Sequence, residues 1–168
     1  MTTIHVLTAV TRPANLPQLA TSIRRAAIRA DCAVVWHWRF DPECRYIGGQ
    51  VLKNEMLAEV PEDAWVYILD DDTVVHRDLF ALVPGFEGEA IVVTQIRPNE
   101  GWLHAAPHNV TVGLIDIGQV IFRKSIVEGN LIGDAYTGDG EFLHKILAGR
   151  MVRFVDEPLC HYNKLRKD

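Results

Sequence analysis

Short apolar runs alternate with helical patterns through the first half of this chain, and that alternation constrains the fold more than any single motif. "IHVLTAV" (residues 4–10), "AVVWHW" (33–38), "WVYIL" (65–69) and "AIVVTQI" (90–96) have the length and β-branched content of buried strands. Between the first two lies "NLPQLATSIRRAAIRA", where Leu16, Leu19, Ile23, Ala26 and Ala27 share one helical face and Asn15 stands at the cap. Between the second and third, "GGQVLKNEMLAEV" predicts a helix starting near Gly49. Strand–helix–strand order implies parallel strands in an α/β sheet, which binds ligands at the carboxyl ends of its strands. Beyond residue 96, "RPNEGWLHAAPHN" reads as loop and "TVGLIDIGQVIFRK" as further strand with bends at Gly113 and Gly118. "GEFLHKILA" reads as a short helix and "MVRFV" as a last strand, with "CHYNKLRKD" as a polar tail. The chain has 168 residues with no internal repeat and no linker-like segment, which suits a single α/β domain with one sizeable core.

The third run ends in Asp70, Asp71 and Asp72. Two carboxylates about 4 Å apart repel by roughly 4 kcal/mol at an effective dielectric near 20. A helix cap needs one acid, and Asp78 is better placed to cap the "LFALV" that follows. The triplet therefore points to a bound cation or to covalent carboxylate chemistry. A D-x-D at a strand end offers oxygen ligands to Mg²⁺ or Mn²⁺, which keep open positions for water and phosphate oxygens. A net charge of −5 with no basic block argues against a dedicated nucleic-acid binder. No apolar run is long enough to span a bilayer, which leaves only peripheral membrane association open. The N-terminus lacks a signal-peptide pattern, and Cys32, Cys44 and Cys160 form neither a zinc pattern nor a disulfide framework, so the expected location is the cytoplasm.

"YILDDDTVVHRDLF" resembles the D-x-D segment of nucleotide-sugar glycosyltransferases with the GT-A fold, especially the large inverting family two. Further segments agree in order: "LTAVTRPANLPQLATSI" with the first strand, nucleotide loop and helix; "GGQVLKNEML" with a helix carrying a basic residue and Asn; "IDIGQVIFRKSIVEG" with a strand that precedes an Arg/Lys pair; "YTGDGEFLHKIL" with the helix start that supplies the catalytic base. The resemblance implies a Rossmann-related GT-A-like mixed sheet flanked by helices, with residues 1–96 as the nucleotide- and metal-binding half and 97–168 as the acceptor and catalytic half. It implies transfer of a hexose from a nucleotide-diphosphate donor, UDP-sugar favoured, to a hydroxyl of a glycan or small molecule, with Mn²⁺ or Mg²⁺.

By that resemblance Asp72 and the tail residue His161 are the expected metal ligands, and Asp139 is the base, with Glu141 and then Asp134 as alternatives. Thr8, Ala9 and Arg12 border the nucleoside, Lys53 and Asn54 lie on the helix before the metal strand, and Asp70 and Asp71 hold ribose or metal-bound water. The first loop, "TAVTRP", has no aromatic residue, and the acids after the second strand, Asp41 and Glu43, come late for reading a base. His104 and His108 read as loop residues because Pro107 separates them, Trp102 is a candidate sugar platform, and Trp36 and Trp38 read as strand core. Two other readings remain. "VYILDDDTVV" also resembles the first motif of haloacid-dehalogenase-like phosphatases, with Asp70 as nucleophile and Asp72 as acid/base, although that motif normally opens its fold. A catalytically inactive nucleotide-binding module is the non-enzymatic alternative.

Overall fold

The structure is a computed structural model that describes residues 2–41, 49–98 and 100–166. Glu43 and Cys44 lie outside the described residues. The elements, in order, are β1 (Thr3–Val10), α1 (Leu16–Ala30), β2 (Ala33–Phe40), α2 (Gln50–Ala58), β3 (Trp65–Ile68), β4 (Val74–Val75), β5 (Ala90–Arg97), β6 (Gly101–Leu103), β7 (Val120–Arg123), α3 (Gly138–Leu147) and β8 (Val152–His161). They form one mixed sheet in the order β2-β1-β3-β7-β5-β8-β4, with β6 paired on β5.

The β2-β1-β3 block is parallel, as the strand–helix alternation predicts. The fourth predicted strand does not continue it. β7 inserts between β3 and β5 and runs antiparallel to both, so β5 does not pair with β3. Side-chain alternation divides the core between two faces. Leu7, Val66, Ile68, Val92, Val120 and Phe122 pack with α2 and α3 residues such as Met56 and Phe142. Ile4, Val6, Trp65, Tyr67, Ile91 and Ile121 pack with Leu19, Ile23 and Ala26 of α1. The α1 stripe follows i, i+4, i+7 spacing, the condition for a surface helix to seat on a sheet.

Four local expectations change. Asn15 occupies the cap position of α1 without a side-chain capping bond; its amide instead donates to the Asp71 carbonyl at 3.0 Å. Asp78 caps no helix: the segment after it is a single 3-10 turn, Phe80–Leu82, and its carboxylate pairs with Arg29 and Arg77. The supposed tail begins as strand, because β8 extends through His161 before the chain turns. Trp36 is partly buried, but Trp38 is 48% exposed on edge strand β2 and is not core. No described helix is long and apolar enough to cross a membrane.

Candidate active site

The carboxyl ends of β1 and β3 open on two adjoining cavities. The smaller, about 160 Å³, is lined by Ala9, Arg12, Asp70, Asp72, Asn163 and Arg166 among others. The larger, about 270 Å³, is lined by Lys53, Asp70, Arg97, Asp116, Tyr136 and Asp139 among others. Asp70 and Tyr162 line both and so form the boundary between them. A still larger cavity of about 520 Å³ sits at the opposite end of the strands, around Trp65, Phe86 and Arg123. We place the chemistry in the adjoining pair, because that is where the buried carboxylates converge.

The three aspartates have separate roles. Asp71 turns back into the protein: its Oδ2 accepts from the backbone N–H groups of Thr11 and Arg12, both at 2.6 Å, and from the Thr11 hydroxyl at 3.0 Å. Its Oδ1 accepts from the Arg12 guanidinium at 3.0 Å. Asp71 thus fastens the loop after β1. Asp70 accepts from the Lys53 ammonium at 2.8 Å, and the Lys53 side chain is 1% exposed. Burial disfavours that ammonium, but Asp70, Asp139 and Asp116 outweigh burial and hold its pKa above the ordinary range. Asp72 is buried; Arg12 stands 3.3 Å away, and the Asn163 amide, turned with its nitrogen toward the carboxylate, donates to both oxygens at 3.0 and 3.1 Å. Burial first, then the charge of Asp70, push the Asp72 carboxyl up to about 6.

Asp139 sits in the first turn of α3, and no side chain caps that helix start. Its Oδ1 is buried without a hydrogen-bond partner. Burial pushes its carboxyl up to about 6; Lys53 lowers it, while Asp70 and Asp116 raise it. Asp116 lies deeper. It accepts from Gln95 Nε2, Gly118 N and Arg97 Nη2, each at 2.9 Å, and burial and Asp70 raise its pKa. Arg97 in turn covers the Tyr162 ring at 4.7 Å.

Glycine makes two of these approaches possible. Gly49 has φ +69°, and a methyl there would overlap the Cβ of Ala9. A methyl on Gly138 would overlap the carbonyl oxygen of Gly133, so the loop before α3 closes on the helix start only with glycine there.

Of the sequence-predicted site residues, Ala9, Arg12, Lys53, Asp70, Asp71, Asp72 and Asp139 line these cavities. Others do not. Thr8 is buried and accepts from Trp36 Nε1 at 3.0 Å. Asp41 is buried at the end of β2 and lines neither cavity. Asn54 holds the backbone of Ile132 at both ends of its amide, 2.9 Å each way, and so ties the loop before α3 to α2. Glu141 is exposed and accepts from the Thr137 hydroxyl, and Asp134 is exposed. His161 stacks on His76 at 6.3 Å and lines neither cavity. The Arg/Lys pair is at the far end of the sheet, Arg123 over Trp65 and Lys124 on Glu62. His104 binds Asp156, and Trp102 lies against His104. Sequence reasoning missed Arg97, Asp116, Tyr162, Asn163 and Arg166. Four of the five stand in "IDIG" and "HYNKLR", beside the basic pair and the histidine that the resemblance singles out.

Among the described residues no three His, Cys, Asp or Glu side chains converge as a ready metal cage. Mg²⁺ and Mn²⁺ do not need one: one or two carboxylates with water and substrate phosphates suffice. Asp70 and Asp72 face one cavity, and after burial the charge of Asp70 is the largest cause that raises the Asp72 carboxyl. The residues fit a hard divalent cation.

No family model matches the chain, and no curated protein matches it in sequence. Solved structures do match. The catalytic domain of Drosophila β1,4-galactosyltransferase 7 in complex with xylobiose superposes with TM-score 0.63 at 15% identity, over 91% of this chain and 64% of that one. A mutant of that Drosophila enzyme, in complex with manganese, UDP-Gal and xylobiose, gives 0.64 at 13% identity over the same shares. A glycosyltransferase involved in the glycosylation of the major capsid of PBCV-1 gives 0.53 at 10% identity, over 94% of this chain and 91% of that one. The fold is that of GT-A-like glycosyltransferases. This chain therefore spans 64% of the length of the galactosyltransferase chains it matches. The phosphatase reading fits less well: the triplet follows the third strand rather than the first.

Proposed function

We propose that this protein is a glycosyltransferase that moves a hexose from a nucleotide-diphosphate donor, UDP-sugar favoured, to a hydroxyl acceptor with inversion, in the manner of family two. One observation carries the reading. Asp139 keeps a buried, unpartnered oxygen and a carboxyl pushed up to about 6, in a cavity that shares Asp70 with the aspartate cavity. A carboxylate that only caps a helix would be bonded to backbone N–H groups. This one is positioned to take a proton, with a pKa near the working pH, which suits a general base.

In this reading Ala9 and the loop fastened by Asp71 border the nucleoside. Asp72, with Asp70 beside it, would hold Mg²⁺ or Mn²⁺, whose bound charge supports the leaving diphosphate. Residues 1–96 supply most of the donor side, and 97–168 supply the base and the acceptor side. The sugar lies where the two cavities meet, at Asp70 and Tyr162. Asp139 Oδ1 accepts the acceptor's hydroxyl proton as that oxygen bonds to the anomeric carbon and the bond to the diphosphate breaks. Lys53 keeps the Asp139 carboxyl from rising further.

The test is UDP release from UDP-sugars with Mn²⁺ for Asp139→Asn and Glu141→Gln. Asp139→Asn is expected to lose about two to four orders of magnitude while still binding UDP, the usual worth of a general base. Glu141→Gln is expected to stay within a few fold of wild type. A dead Glu141→Gln beside an active Asp139→Asn moves the base to Glu141.

A further inference from the structure

Two of the described residues, Asp70 and Tyr162, line both cavities. The Asp70 carboxylate is already taken by the Lys53 ammonium at 2.8 Å. Tyr162 follows β8 directly, and its backbone N–H donates to the Ile96 carbonyl at 3.0 Å, which ties the residue to β5. The Arg97 guanidinium covers its ring, 4.7 Å from the centroid. Arg97 is itself held by three partners: Nε donates to Gln95 at 2.8 Å, Nη2 to Asp116 at 2.9 Å and Nη1 to Glu100 at 3.3 Å. Gln95 and Gly118 donate to the same Asp116 carboxylate. The Tyr162 ring therefore has a fixed seat.

Its hydroxyl has no hydrogen-bond partner among the described residues. Burial first, then the charges of Asp116 and Asp70, hold the phenol above its ordinary range, and Asp72 adds to them. The hydroxyl thus keeps its proton and feels carboxylates of both cavities. A hexose hydroxyl both donates and accepts a hydrogen bond. The wall offers Asp70, Asp116 and Asp139 to receive its proton. Donors for its oxygen are scarcer, because Lys53 is bonded to Asp70 and Arg97 to the three groups above. A tyrosine hydroxyl drawn into a site normally finds a partner. We propose that Tyr162 reads the transferred hexose: its phenol hydroxyl donates to one sugar hydroxyl and so orients the ring across the boundary between the cavities. The proposal rests on the glycosyltransferase reading and names its sugar-specificity residue.

The test is a cycle of protein and ligand changes read by calorimetry. UDP, UDP-glucose, UDP-galactose and the monodeoxy forms of each hexose are titrated with Mn²⁺ into wild type and Tyr162→Phe, which keeps the ring on Arg97. Tyr162→Phe is expected to bind UDP within about twofold of wild type and the better-bound UDP-hexose about three- to tenfold more weakly, the worth of one neutral hydrogen bond. One monodeoxy form should lose a similar factor in wild type and nothing further in Tyr162→Phe, since the bond it lacks is already gone. Equal losses for UDP and UDP-hexose mark a structural tyrosine and overturn the proposal. So does an unchanged UDP-hexose affinity, or a deoxy loss that is the same in both proteins for every position. Wild type that binds UDP but neither UDP-hexose overturns it as well. If UDP with Mn²⁺ fails to bind at all, the donor reading falls and the proposal with it; if UDP binds and only the cycle fails, the transferase reading stands alone.

Discussion

Asp71 and Asp72 are neighbours with different surroundings. Asp71 accepts from two backbone N–H groups, a hydroxyl and a guanidinium, so its charge is used up in holding the loop after β1. Asp71→Asn removes the charge that assists those bonds. We expect a loss of about 1.5–3 kcal/mol in urea unfolding, together with weaker UDP binding because the loop is released. An unchanged midpoint would mean that the loop holds itself. Lys53 is the complementary case, a cation among Asp70, Asp116 and Asp139 with a side chain 1% exposed. Lys53→Met leaves buried carboxylates without their counter-charge. It should destabilise by about 3–5 kcal/mol, and whatever activity survives should have its acid limb moved to higher pH, since Lys53 lowers the Asp139 pKa. A purely structural lysine would leave the pH profile where it was. The triplet was legible as a candidate site because three adjacent carboxylates repel. Their division of labour was not, because it depends on where β1 ends relative to β3.

At the scale of elements, the start of α3 is what aims Asp139. It is pinned by Gly138 against the Gly133 carbonyl and, through Ile132, by Asn54 of α2. Gly138→Ala should push the 131–137 loop off the helix, lowering both the thermal midpoint and transfer while UDP binding survives. Asn54→Ala should act in the same direction through the other pin. If Gly138→Ala transfers sugar like wild type, the helix start is not what positions the base. The helix itself was legible from Phe142, Leu143, Ile146 and Leu147 on one face. The tail was not. β8 pairs with β5 through register shifts between Val155 and Cys160, with Pro158 among them. Those shifts break the two-residue alternation by which a strand is read. Read as irregular, the segment made His161 the natural ligand, whereas the strand's phase turns His161 onto His76 and leaves Tyr162 and Asn163 at the cavities.

For the whole molecule, the buried carboxylates tie stability to pH. Asp139 has an ordinary value near 3.8 raised to about 6 in the fold. Between those values the native state binds more protons than the unfolded chain. The stability from a protonated Asp139 is therefore full below about pH 4 and is lost as pH rises through about 6, on the order of 3 kcal/mol. His5 and His161, lowered from 6.5, act in the opposite sense, so the comparison must be with Asp139→Asn. That variant should lie nearest to wild type below about pH 4 and exceed it in thermal midpoint by the widest margin at pH 7.5; a gap that does not change with pH would deny Asp139 its raised pKa. The parallel β2-β1-β3 block was readable from strand–helix alternation. The insertion of β7 between β3 and β5 was not, because strand order in the second half is set by packing of the two core faces rather than by local pattern. The central claim is that the aspartate cavity binds a nucleoside diphosphate with a divalent cation. Its most direct test is the thermal midpoint of wild type and Asp72→Asn with UDP, with Mn²⁺ and with both, since a ligand of the folded state must raise stability. The account predicts a large rise for wild type only with both, none for Asp72→Asn, and a higher ligand-free midpoint for Asp72→Asn at pH 7.5. Equal shifts in the two proteins, or no shift in wild type with UDP and Mn²⁺ together, would contradict it.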